Sequence, residues 1–151
     1  MKAILTSVLI FCCTSIFAQA DKVVGIWLTQ DGDSQVKIYK SADNKFFGQI
    51  KWLKNPTEDG KAKFDKKNPN DKLKTRPILD LMLLSGFVYN ASKDQWVDGT
   101  IYDPKSGKTY NCYMWFERGN NDVLHVKGYV GFSWIGRQVE WKREATLRKQ
   151  L

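Results

Sequence analysis

The chain has 151 residues, with 24 Lys and Arg against 16 Asp and Glu for a net charge of +8, one His and three Cys. That length builds one domain around one core, and Cys112 with His125, the pair left once Cys12 and Cys13 depart with the N-terminal run described next, falls short of the four ligands of a structural zinc site. The basic balance favours anionic partners through long-range attraction, and a solvated basic surface is its plainest reading.

Met1 and Lys2 precede an apolar run over 3–17, and Ala18-Gln19-Ala20 then offers the small-x-small pattern of a cleavage site. This reads as a signal peptide over residues 1–20, cut near Ala20, with a single domain over 21–151. The run is short for a membrane span and no second one follows, so no transmembrane segment is expected in the mature chain. Export also argues against nucleic acid as a partner. Cleavage removes Cys12 and Cys13 and leaves Cys112 alone, so no internal disulfide is expected. Alternation puts Cys112 on one face with Tyr110, Met114 and Phe116, as an inert buried hydrophobe.

Residues 23–29 form the first predicted strand, closed by the turn Asp31-Gly32-Asp33. Residues 35–40 and 46–53 alternate apolar and polar side chains and continue an antiparallel meander. Residues 54–75 are rich in turn pairs and lysines and read as a long surface loop. Pro77 ahead of an apolar run and Ser85-Gly86 behind it predict a short helix over 77–84, with a buried strand as the alternative. Residues 87–90 add a strand, and the stretch 96–110 predicts a hairpin, with its second arm running to Phe116, in which Gly107 supplies positive φ. Gly107-Lys108-Thr109 is no phosphate loop, because Tyr102 stands where the first glycine belongs and the following residues are strand formers. Two further strands follow over 123–130 and 135–143. The total is about eight antiparallel strands, which means a sandwich or an up-and-down barrel. Both terminal strands are strongly apolar, so closure is favoured over two exposed edges.

Gly25-Ile26-Trp27 with an arginine on the last strand resembles the lipocalin signature, in which a floor tryptophan stacks under a late basic side chain. Arg143 and Arg137 both qualify for that part. The wider set, residues 47–53, Asp65-x-x-Asn68-Pro69, Arg76-Pro77, the 96–110 hairpin, residues 126–131 and Gly136-Arg137-x-x-x-Trp141, resembles the bacterial exported family called domain of unknown function 2147. The resemblance implies an all-β, lipocalin-like barrel in the bacterial envelope, periplasmic or secreted, and brings no assigned reaction. Asp80 departs from the small residue, such as glycine, expected there.

The catalytic inventory is thin. His125 lies out of phase with Leu124 and Val126, which predicts an outward, solvated imidazole. Asp65, Asp98 and Asp103 are the carboxylates considered for acid–base work, with turn formation the simpler role for the last two. No catalytic residue, metal or cofactor is assigned. Six tryptophans spread over nearly every strand either fill the barrel or line a cavity. For a cavity, Trp52, Tyr102 and Trp141 are the expected wall, and Arg76 and Arg137 the expected clamp for an anionic headgroup. Trp27, Gly107 and Arg143 are expected to be structural. The partner is then a small hydrophobic or anionic ligand; the alternative is a filled barrel whose basic loop docks on an acidic envelope component.

Overall fold

The computed structural model describes residues 18–150, so most of the expected signal peptide lies outside the described residues. Ten strands follow in chain order: β1 (Gly25–Leu28), β2 (Ser34–Lys40), β3 (Phe46–Leu53), β4 (Thr57–Glu58), β5 (Lys61–Ala62), β6 (Met82–Asn90), β7 (Gln95–Asp103), β8 (Lys108–Phe116), β9 (Val123–Tyr129) and β10 (Gly136–Glu144). Eight of them close into an antiparallel barrel in the order β1-β10-β9-β8-β7-β6-β3-β2, while β4 and β5 pair only with each other. Closure is made by β1, which bonds to β2 on one side and to β10 on the other. Neither apolar terminal strand is left with a free edge.

One end of the barrel is sealed. Trp27, Phe46, Phe87, Trp96 and Met114 are all buried to within 1% of full exclusion there. The Arg143 guanidinium carbon lies 4.2 Å from the Trp27 ring centroid. Its nitrogens donate to Val24 O (3.1 Å), Lys22 O (2.6 Å) and Asn121 O (3.1 Å). Of the two arginines that could cover the floor tryptophan, the geometry selects Arg143. Gly25 makes room for it, since a Cβ there would sit 2.7 Å from Arg143 Nη1. The segment preceding β1 caps the same end: Trp96 Nε1 donates to Ala20 O at 2.9 Å and Trp27 Nε1 to Val23 O at 2.9 Å.

Residues 77–84 do not form the expected helix. Pro77 makes an isolated bridge with Phe64, a turn follows, and Met82 onward is β6. Short 3-10 turns occur instead at Asp21–Val23 and Asp71–Leu73. An apolar run after proline fits a buried strand as well as a helix, and burial of Leu83 and Leu84 between neighbouring strands decides for the strand. Asp80 has φ +65°, a left-handed conformation in which glycine is at home and aspartate is among the few tolerated alternatives. Its carboxylate pairs with Lys51.

The predicted hairpin is present, with β7 and β8 joined through residues 104–107. Gly107 has φ +74°, and a Cβ on it would stand 1.8 Å from Lys67 O. The turn is thus pressed against the 54–77 loop, and glycine is required twice over.

Candidate ligand-binding cavity

The other end of the barrel is open. The β1–β2 turn, the 54–77 loop, the β7–β8 turn and the β9–β10 turn surround a cavity of about 730 Å³. Its wall is largely aliphatic, with Ile50, Leu83, Ile101, Val126 and Val139, and Tyr110 and Trp141 add rings. Alternation along β3, β6, β7, β8, β9 and β10 turns these side chains inward. The aliphatic ones are smaller than the tryptophans and phenylalanines of the sealed end, and the barrel stays hollow where they stand.

The expected ligand residues are divided by the structure. Trp141, 3% exposed, lines the cavity and adjoins Leu124 on β9. Arg137, opposite Gly128, is exposed at the rim. Tyr102 lies at the cavity edge, with its hydroxyl donated to Asp65 Oδ1 at 2.6 Å. Burial first, and the Asp65 acceptor second, push the Tyr102 phenol above its ordinary range, so it stays a donor.

Trp52 is not part of the cavity wall. The β2–β3 register slips between Gln35 and Val36, so that Gln35 adjoins Trp52 while Val36 adjoins Ile50, and Lys51 is the extra residue of a bulge. The phase therefore changes after Ile50, and Trp52 shares the outer face with Gln35. The C-terminal tail covers both: Trp52 Nε1 donates to Lys149 O at 3.1 Å, Arg148 lies 4.9 Å from the Trp52 ring, and Gln35 bonds to Thr146 O and Arg148 N.

Arg76 does not reach the cavity as a free clamp either. Its Nε and Nη2 hold Asp65 Oδ2 at 3.0 and 2.9 Å, and its guanidinium lies 5.5 Å from the Tyr102 ring. Asp65 is fully buried, and Asn68 Nδ2 donates to it at 2.8 Å. Four groups so gathered fasten the lysine-rich loop to β7, which forms that side of the cavity mouth. A buried carboxylate demands such partners, and the Asp65-x-x-Asn68 spacing followed by Arg76 was the signal for them.

Other sequence candidates fall away from the cavity or into structural roles. His125 faces outward as expected, but it is 7% exposed rather than solvated, because the Trp115 ring stacks on it at 5.1 Å. Asp103 accepts from Lys105 N and Ser106 Oγ and shapes its turn. Asp98 takes φ +60° at a β7 bulge and is exposed. Cys112 is buried and unpaired with another cysteine, and burial raises its thiol so that no reactive thiolate forms. Among the described residues, no group of three or more His, Cys, Asp or Glu side chains is arranged to hold a metal, and no helix is long and apolar enough to cross a membrane.

A family model described as "Uncharacterized protein conserved in bacteria (DUF2147)" matches residues 25–143. The chain belongs to the DUF2147 family. The matched span runs from the Gly25 that admits Arg143 to Arg143 itself, so it contains nearly the whole barrel. No curated protein matches the sequence. Among solved structures, this DUF2147 chain is similar to protein HP1028 from the human pathogen Helicobacter pylori, described as belonging to the lipocalin family. The two share 25% identity and a TM-score of 0.66, over 82% of this chain and 83% of that one. The DUF2147 barrel is accordingly lipocalin-like, with Trp27 and Arg143 at its floor.

Proposed function

We propose that this protein is an exported carrier or sensor that holds a small, partly apolar, anionic molecule in the open half of its barrel. The observation that carries this reading is the cavity of about 730 Å³ with an aliphatic and aromatic wall. Its size lies within the roughly 300–1,000 Å³ typical of small-molecule sites. Arg137 at the rim supplies a fixed planar donor for a carboxylate, sulfonate or phosphate. The likeness to a protein described as a lipocalin supports the same reading. Removal of a leader near Ala20 and delivery to the periplasm or medium belong to this proposal.

A basic docking surface stands second. Lys66 and Lys74 of the loop are engaged by Glu58 and Asp71, which lowers the charge that the loop offers to an acidic partner.

Two fluorescent probes separate these readings: anilinonaphthalene sulfonate, which is anionic, and N-phenylnaphthylamine, which is neutral. The wild-type protein is expected to bind one molecule of either. Ile101→Trp, which fills the cavity from β7, should weaken both by tenfold or more, whereas Arg137→Gln should weaken only the sulfonate. Undiminished uptake of both probes by a folded Ile101→Trp protein would remove the cavity from the proposal. Native mass spectrometry of protein from its own cells would then identify any resident molecule.

A further inference from the structure

The β9–β10 turn carries an apolar tip that the barrel does not use. Val130, Phe132, Trp134 and Ile135 are 65%, 62%, 72% and 58% exposed, which places half of the eight exposed large hydrophobic residues among those described in one six-residue turn. The Phe132 and Trp134 rings stack on each other, 4.5 Å apart and 6° from parallel, rather than folding back on the barrel. Backbone bonds from Val130 N to Ile135 O and from Ile135 N to Phe132 O shape the turn. Scattered exposed apolar residues need no explanation, but a contiguous projecting set marks an interaction surface.

The charges around the tip indicate what it meets. From residue 127 to 139 the sequence contains Lys127 and Arg137 and no carboxylate. Across the mouth Lys63 and Lys67 are exposed, while Asp31 and Asp33 pair with Lys105, Glu58 pairs with Lys66, and Asp103 is held within its own turn. Aromatic side chains flanked by cations, with no acid among them, suit the interface of a bilayer, where rings sit at headgroup depth and cations meet lipid phosphates.

We propose that the β9–β10 tip is a docking wedge that inserts Phe132 and Trp134 into an anionic lipid surface and turns the cavity mouth towards it. A cavity so placed exchanges its contents with the membrane rather than with bulk water. The wedge does not depend on what the cavity holds, so the two proposals fail separately.

The test is co-sedimentation with vesicles of phosphatidylcholine, alone and with phosphatidylglycerol added. The Phe132→Ser, Trp134→Ser double variant removes only exposed rings, and its far-ultraviolet circular dichroism and thermal midpoint should match those of the wild type. Both proteins share the same N-terminus, so a difference between them reads the tip and not residues 1–17. Partitioning should fall tenfold or more in the double variant, and by about threefold in Arg137→Gln on the anionic vesicles alone. Ile101→Trp should dock as the wild type does. Equal sedimentation of wild type and double variant, or no sedimentation of either, would overturn the wedge. A concentration-dependent dimer that the double variant abolishes, without vesicle binding, would reassign the tip to contact between copies.

Discussion

The two ends of this barrel are built from the same eight strands and differ in what those strands turn inward. At the sealed end Trp27, Trp96, Phe46 and Phe87 share one buried core, with Phe46 edge-on to Trp96 and Phe116 tilted against Trp27 and edge-on to Trp96 at centroid distances of 5.8 and 5.4 Å. At the open end aliphatic side chains of β3, β6, β7, β9 and β10 line a space they do not fill. Whether the aromatic residues fill the barrel or line a cavity therefore has a different answer in each half. Buried aromatic packing is concentrated in the first half and open space in the second.

Truncation at the floor should have the largest effect. Trp27→Ala removes a fully buried ring and the surface on which Arg143 lies, and should cost about 3–5 kcal/mol in urea unfolding. A loss below about 1 kcal/mol would mean that the sealed end is not the stabilising half. Gly107→Val comes next, at roughly 2–4 kcal/mol, because it combines positive-φ strain with a clash against the Lys67 carbonyl. Asp65→Ala should cost roughly 2–3 kcal/mol by leaving Arg76, Tyr102 and Asn68 without their shared acceptor. It should also raise protease cleavage within the 54–77 loop, a readout that Trp27→Ala would not single out.

Acid should act on both ends, and the contributions can be separated. Burial pushes Asp33 up, but hydrogen bonds from Lys105, Ser34 and Thr29 outweigh it and leave the carboxyl below its ordinary range. Asp94, at the sealed end, is lowered first by Tyr89, a partner that remains after removal of a leader near Ala20. A carboxylate depressed in the folded state stabilises above its unfolded pKa of about 4, and that contribution is lost as pH falls through the folded value. Asp33→Asn and Asp94→Asn should each be less stable than wild type at neutral pH, and the gap should narrow on acidification below about pH 4. A gap unchanged by acid in either variant would remove that carboxylate from the account. Ile101→Ala should have the smallest effect, about 1 kcal/mol, since its side chain already borders open space. A loss comparable with that of Trp27→Ala would show that the cavity collapses around Ile101.

The strands and the hairpin were legible in the sequence because alternation and turn residues act locally. The floor was legible in part, since Gly25-Ile26-Trp27 resembles the lipocalin signature, while the choice between Arg143 and Arg137 waited on the stacking over Trp27. Trp52 shows where alternation fails: one extra residue at Lys51 reverses the facing of the residues after it, and nothing in the local sequence announces a bulge. Arg76 shows a second limit. Its residue type suits a ligand clamp, but Asp65 reaches it first, and that contact joins residues 11 apart through a fold-defined loop.

The sequence by itself determined the all-β class, a count of about eight strands, the position of the β7–β8 turn and, through its resemblance to the lipocalin signature, the place of Trp27 at the barrel floor, whereas the choice of Arg143 over Arg137 was left to the structure. These follow from period, from φ preferences and from the drive to bury large rings. The tertiary structure alone decided that 77–84 belongs to a turn and a strand, that Trp52 lies beneath the C-terminal tail, and that one half of the barrel is hollow. Each of those outcomes depends on which distant residue occupies the neighbouring space, and that is a property of packing rather than of local sequence.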